Sequence, residues 1–490
     1  MLRPVCTFLA SLALYGCTLI GQPAPTPVRI ATATPRPSPA SVPQVSVTTQ
    51  VDPLKQTAVK HVVQATIDLA QHEIEVQQDL QFRNLTASPL AELLLLVEAN
   101  RQEGSVEVQR IVADETPLEF TLDGRKLTVR LPRVLQPEDA MELSLDFRLD
   151  VPPFEADDFL GWLGYSQHQM NLGNWLPVVA PRGGGQWLVN EAAAFGEHSA
   201  QDPADWQVGV DVENARDDVV LAGPGQVTQM EDGHWQFELQ AARDFSLSID
   251  TRFQFTASEL ADGTQLEVYS LSDAPDALAA AAWTLDVARR SVERFSALFG
   301  PFLLNRLVVV EGDFPDGMEF SGLVFVSRDW FESWEGNPAS YLTVITAHEV
   351  AHQWWYGSVA NDQAADPWLD EALATYSEYL LLESDFPELT DWWWEWRVDR
   401  FAPGGYVDGD IYEFASRRNY INAVYLRGAR MLHELRQDLG DDAFFAWLRR
   451  HAEQGAGNIV TEEEFWSLLD DSQLAATLET RRRYLRDPGP

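Results

Sequence analysis

His348 and His352, four residues apart in the run His348-Glu349-Val350-Ala351-His352, constrain this chain most, because that spacing presents two imidazoles together only if the segment is helical. On a helix, residues i and i+4 project from one face about a turn apart. Glu371 follows His352 after eighteen intervening residues, enough to finish one helix, turn and open a second. Two histidines and a glutamate with a fourth position left open form the donor set of a catalytic zinc ion. Local punctuation supports both helices. Asn337-Pro338, an N-cap residue followed by proline at the first helical position, precedes the run Ser340 to Trp355; Asp366-Pro367 precedes Trp368 to Leu382 and puts Glu371 near a helix N-terminus. Glu349, one residue after the first ligand, is angled beside the metal on such a helix, where it can take a proton from water and pass it to a leaving amine.

The surrounding residues resemble the aminopeptidase N-like gluzincins. His348 to Gly357, HEVAHQWWYG, is similar to that family's HExxHQWWG run, and Trp368-Leu369-Asp370-Glu371-Ala372-Leu373-Ala374 to its W-L-N/D-E-G/S-F/L-A segment. Thermolysin-like enzymes share the ligand set but lack the His-Gln-Trp-Trp continuation, and metzincins carry a third His shortly after the second, which this chain does not have before residue 371. The resemblance spans roughly residues 60 to 490 and implies one Zn2+ per chain, held by His348, His352 and Glu371, with peptides as substrates. It also implies a multidomain α+β fold, an N-terminal antiparallel β-rich domain followed by a thermolysin-like α/β catalytic domain. Val424-Tyr425-Leu426-Arg427-Gly428-Ala429 resembles the family's Y-x-K-G-A run, which makes Tyr425 the donor to the developing oxyanion, with Tyr420 and Tyr376 as rivals. Asp316-Gly317-Met318-Glu319-Phe320 lies where the family carries G-A-M-E-N, so Glu319 is the candidate carboxylate for a substrate α-ammonium. Only Met318-Glu319 is in register there; the resemblance implies an aminopeptidase releasing N-terminal residues, with an endopeptidase on the same zinc site and an inactive surface binding module as the alternatives. Glu378, at i+7 from Glu371, and Asp370 are candidates to receive a ligand imidazole N–H, against the plainer reading of helix-surface carboxylates.

The ends and the charge set the context. Residues 1–16 read as a lipoprotein signal peptide, with an apolar stretch from Phe8 to Leu14 and a lipoprotein box ending at Cys17, so the expected location is extracytoplasmic, lipid-anchored through Cys17 to a bacterial cell membrane. The only other cysteine, Cys6, would leave with the signal peptide. Residues 17–55, rich in Pro, Thr and Ser, form a semi-extended linker. A net charge of −40 argues against nucleic acid as a partner and against a basic membrane-binding patch. Oligomeric state is not legible.

Within the body, residues 56–255 alternate with period two: Ile74, Val76, Leu80, Phe82; Leu127, Val129, Leu131; Met141, Leu143, Leu145, Phe147; Trp206, Val208, Val210, Val212. Asp123-Gly124 is a hairpin signal between two such runs. Residues 256–490 turn helical, with a long helix from Asp276 to Leu298 closed by Gly300, strands at Leu307–Val310 and Leu323–Val326, and a capping box at Thr461-Glu462-Glu463-Glu464. Trp392, Trp393, Trp394 and Trp396 fall on a short helix and are read as packing residues, as are Trp175 and Trp187.

Overall fold

Period-two alternation becomes an eight-stranded sheet in the computed structural model, which describes residues 57–154, 162–167, 169–183, 185–214, 219–230 and 233–489. The signal peptide, Cys17 and the whole of the linker lie outside the described residues. The sheet uses β1 (Val59–Asp68), β2 (Glu73–Arg83), β3 (Val106–Ala113), β4 (Thr116–Pro117), β5 (Ala140–Asp150), β6 (Ala204–Glu213), β7 (Gln226–Gln229) and β8 (His234–Ala242), in the spatial order β7-β8-β6-β1-β2-β5-β3-β4. Its pairings are antiparallel except that of β1 with β6. One face is apolar and buried: Ile74, Val76, Leu80 and Phe82 point inward from β2 while the residues between them, except Gln78, face out. Gln78 shares the buried face with His61, to which it donates at 2.8 Å, and its amide also reaches the Pro177 carbonyl at 2.8 Å. The hairpin at Asp123-Gly124 forms, joining Phe120–Asp123 to Lys126–Leu135 through Gly124 at φ 54°, a backbone geometry that glycine adopts without a Cβ penalty.

The second layer begins at Gln254, where the chain enters a five-stranded sheet. β9 (Gln254–Glu259), β10 (Gln265–Ser270), β11 (Arg306–Gly312), β12 (Gly317–Met318) and β13 (Leu323–Ser327) lie in the order β9-β10-β11-β13-β12, with β10, β11 and β13 parallel and β12 an antiparallel edge. α1 (Pro275–Phe299) ends at Gly300, as its sequence predicts. It packs on α2 (Tyr341–Ala351), which packs in turn on α3 (Trp368–Asp385). Every residue from Leu342 to Ala351 is buried, so α2 is a central helix with no solvent face. Two expectations shift here. The α2 cap is Ser340, whose hydroxyl accepts from Thr343 N–H, whereas Asn337 instead closes a local turn by accepting from Ala339 N–H at 2.9 Å. The helix also stops at Ala351 rather than reaching Trp355, because the following residues fold into turns that give their N–H groups to Val350, Ala351 and His352 carbonyls. Among the described residues no helix is long and apolar enough to cross a membrane.

Candidate metal centre and active site

The two central helices deliver the ligands. His348, on the last turn of α2, His352, the residue that caps its C-terminus, and Glu371, in the first turn of α3, bring their donor atoms together in a buried pocket. His348 Nε2 and His352 Nε2 are 3.1 Å apart, His348 Nε2 and Glu371 Oε2 3.2 Å, and His352 Nε2 and Glu371 Oε2 3.5 Å. Bonds of 2.0–2.1 Å around a tetrahedral ion place ligand atoms about 3.4 Å apart. Three donors at these separations fit zinc without rearrangement, and two neutral imidazoles with one carboxylate are the chemistry it prefers. Overlapping sets built on Glu319, Glu349 and His352, or on Glu197, Glu319 and Glu371, are richer in carboxylates and suit zinc less well.

Each imidazole is oriented from behind. His352 Nδ1 donates to the Trp355 carbonyl at 2.8 Å, and His348 Nδ1 to Glu378 Oε1 at 3.1 Å, so with a metal bound both Nε2 atoms would offer it their lone pairs. Glu378 is therefore the carboxylate partner, while Asp370 accepts instead from Gln363 and from Glu371 N–H; both are buried, not surface residues. Glu378 is itself held by Trp393 Nε1 (2.9 Å) and by Arg397 Nε and Nη2 (3.0 and 2.9 Å). Trp393 and Arg397 lie on a π-helical turn, Trp393–Val398, that no periodicity argument detects. Burial would raise Glu371, but hydrogen bonds from His348 and His352 outweigh it and hold its carboxyl far below the usual range. Burial opposes the charge on His348 too, yet Glu371 and Glu378 lift it to about 9.

Gln353, next in the HEVAHQ run, explains how the motif reaches across to the sheet. Its Oε1 accepts from Gly322 N–H at 2.8 Å and its Nε2 donates to the Phe320 carbonyl at 3.1 Å, pinning the turn between β12 and β13 to the end of α2. That turn carries Glu319, which is buried within ligand distance of Glu349 and His352. Burial and then the nearby Glu197 carboxylate push Glu319 well above its ordinary value. Glu349 lies over Gly317: a Cβ there would fall 2.1 Å from Glu349 Oε1. Burial, with Glu371 and Asp316 nearby, lifts Glu349 to about 8 against the opposing pull of His348 and His352.

Tyr425 stands over the ligands from another π-helical turn, Ile421–Arg427, its ring stacked 5.8 Å from that of His348. Tyr420 packs against Tyr425 and the 195–196 loop, and Tyr376 pairs with His433, so neither rival occupies that position.

Glu197 was not legible in the sequence. It comes from the irregular stretch between β-structure at Trp187 and β6, where no motif marks it, and reaches the cluster because Gly196, at φ 69°, lets the loop approach Ile411 and Tyr420 more closely than a Cβ permits. Burial and the Glu371 and Asp370 carboxylates push Glu197 up to about 8. Beside it opens a cavity of about 320 Å³, lined among others by Met318, Trp162, Leu163, Tyr356 and Gln363. Asp316, at φ 77° before β12, forms an ion pair with Arg417 at the cleft rim.

Residues 283–481 match the Peptidase family M1 domain. The chain is similar to Aminopeptidase N of Lactobacillus helveticus, 28% identical over 298 residues that cover 56% of this chain and 34% of that protein. It is also similar to Aminopeptidase M1-A of Oryza sativa subsp. japonica, 26% identical over 234 residues that cover 45% of this chain and 26% of that protein. The chain thus matches about a quarter to a third of the length of these relatives. A crystal structure of an M1 zinc metallopeptidase from Deinococcus radiodurans shares the fold, with TM-score 0.63 at 19% identity over 89% of this chain and 95% of that one. So does a two-domain M1 zinc metallopeptidase mutant bound to L-arginine, with TM-score 0.64 at 20% identity over 89% of this chain and 96% of that one.

Proposed function

We propose that this chain, which belongs to the aminopeptidase N-like zinc metallopeptidases, hydrolyses peptides and releases their N-terminal residues. The observation that carries the reading is the convergence of three zinc-compatible donors, His348, His352 and Glu371, with two buried carboxylates beside them, Glu349 for the proton and Glu319 for the ammonium. Zinc held there supplies Lewis acidity toward a water and toward the scissile carbonyl. Glu349, buried beside the ligand histidines, would accept the proton of the attacking water and return it to the leaving amine. The Tyr425 hydroxyl, too weakly acidic to ionise in this buried setting, donates a hydrogen bond to the oxygen that gains negative charge.

Glu319 and Glu197 together give one end of the cleft two carboxylates, a setting that favours a free α-ammonium over an acylated terminus. The adjoining cavity of about 320 Å³ has room for the first side chain of such a peptide. The sequence reading of Cys17 further supports a lipid-anchored, extracytoplasmic enzyme, which metabolic labelling with a fatty acid and its loss in Cys17→Ser would test. The deciding assay compares an aminoacyl amide bearing a free amine with an N-acetylated peptide. Turnover of the free amine alone supports the aminopeptidase; turnover of the blocked peptide alone makes the site an endopeptidase, and turnover of neither leaves a binding module. Glu349→Gln should retain zinc and lose turnover.

A further inference from the structure

The turn that carries Glu319 is held from two sides. From the end of α2, Gln353 bonds the Phe320 carbonyl and the Gly322 N–H. From the β-rich domain, Asp244, two residues beyond β8, takes the residue between them: Oδ1 accepts from Ser321 N–H at 3.0 Å and Oδ2 from Ser321 Oγ at 3.1 Å. The Ser321 hydroxyl in turn accepts from Arg243 N–H at 3.2 Å. Asp244 Oδ2 also accepts from the Tyr356 hydroxyl at 2.5 Å. In the HExxHQWWG pattern the ninth position is glycine; here it is Tyr356, at φ 137°, a backbone geometry that residues with a Cβ rarely adopt. Besides its hydroxyl, two backbone bonds keep Tyr356 there: its N–H donates to the Val359 carbonyl at 2.8 Å, and its carbonyl accepts from Arg243 Nε at 2.6 Å.

A strained residue persists only where its surroundings over-determine it, and such residues gather at ligand sites. Here the strain secures a hydroxyl on Asp244, and Phe320 shows why the turn needs that anchor. The G-A-M-E-N pattern has asparagine at this position, whereas the Phe320 ring is buried against the β-rich domain, where it fills the space that a Cβ on Gly173 would need. Phe320 therefore brings no polar side chain to the turn beside Glu319. We propose that Asp244 is a positioning residue for amine recognition: by bridging Ser321 and Tyr356 it fixes Glu319 relative to the metal ligands, so that the affinity a substrate gains from its α-ammonium depends on it. The inference rests on the reading of Glu319 as the ammonium carboxylate and adds the residue that holds it in place. The ammonium and the scissile carbonyl belong to one substrate residue, so Glu319 has to keep a fixed span from the zinc. A carboxylate displaced by about an ångström loses much of a charge-assisted hydrogen bond. Tyr356 also lines the cavity shared by Glu197, Met318 and Gln363, so the same bridge fixes a wall of the space beside the ammonium site.

The test is calorimetric binding of two ligands to the zinc-loaded protein: leucine hydroxamate, which brings a zinc-binding group and an α-ammonium, and 4-methylpentanohydroxamate, the same molecule without the amine. Their affinity ratio measures what the amine contributes. Asp244→Ala should lower that ratio about tenfold, the worth of one hydrogen bond to a charged group, with the affinity of the amine-free ligand unchanged. Asp244→Asn, whose carbonyl accepts from Ser321 N–H while its amide donates to both hydroxyls, should restore the ratio. Tyr356→Phe removes one hydroxyl, keeps the ring and should lower the ratio about threefold, so the test stands even where Asp244→Ala does not fold. A general loosening of the fold would weaken both ligands alike. An unchanged ratio in either Asp244→Ala or Tyr356→Phe, or an equal loss for both ligands, overturns the proposal. Equal affinity of the wild-type protein for the two ligands would show that Glu319 does not read the amine; the aminopeptidase reading then fails, and this inference with it.

Discussion

Replacing Glu378 by glutamine isolates the contribution of a buried carboxylate that never touches the metal. Its two oxygens accept four hydrogen bonds, Oε1 from His348 Nδ1 and Arg397 Nη2, Oε2 from Trp393 Nε1 and Arg397 Nε, at 2.9–3.1 Å. Glutamine preserves the volume but turns one oxygen into an NH2, so whichever way the amide points, two donors are left facing a donor. Arg397, only 7% exposed, also loses its counter-charge. Breaking a buried ion pair from one side costs about 3–5 kcal/mol. Loosening the partner of a ligand histidine lowers metal affinity about 10- to 100-fold. Urea denaturation of the metal-free protein reads the first effect and competition with a zinc chelator the second. Because Arg397 and Glu378 act as one unit, Glu378→Gln with Arg397→Gln should lose less stability than the sum of the single variants. A Glu378→Gln protein within about 0.5 kcal/mol of wild type, the range of ordinary surface changes, and with unchanged zinc affinity would refute the reasoning.

Other expectations follow from the same structure. Tyr425→Phe should lower kcat about 10²- to 10³-fold with a much smaller change in KM, since its hydroxyl serves the transition state; equal losses in binding and turnover would argue against that role. Stability should fall on acidification in two windows. Burial holds His61 and His451 neutral at about 3, below the unfolded value of 6.5, so protons bind the unfolded chain preferentially and the contribution of both is lost as pH falls from 6.5 toward 3. Burial opposes the charge of Glu98, but His198, Arg125 and Ser199 outweigh it and lower its carboxyl to about 2, so its contribution is complete above 4.5 and is lost between 4.5 and 2. Urea midpoints measured across pH should show both declines, and Glu98→Gln should flatten the lower one; a pH-independent midpoint from 7 to 3 would contradict both assignments.

The parts of this architecture that announce themselves in the sequence are those with a local rule. Spacing of four places His348 and His352 one turn apart, alternation turns the faces of β2, β5 and β6, and Thr461 forms the capping box with Glu464. Parts that depend on distant approach do not. Glu197 sits in a stretch without periodicity and enters the site only because Gly196 admits close contact with Tyr420. Arg397 and Tyr425 ride on π-helical turns, whose extra residue per turn breaks the helical register a sequence reader counts on. Asn337 has the composition of a helix cap, but Ser340, three residues on, has the extended backbone and the free hydroxyl at the point where α2 begins.

The central claim is tested most directly by titrating zinc into chelator-stripped protein while following hydrolysis of an aminoacyl amide with a free amine. The structure predicts no activity without metal and a rise that saturates at one zinc per chain, abolished in His348→Ala, His352→Ala and Glu371→Ala. Activity that persists in the stripped protein, or a chain that takes up no zinc, would contradict it.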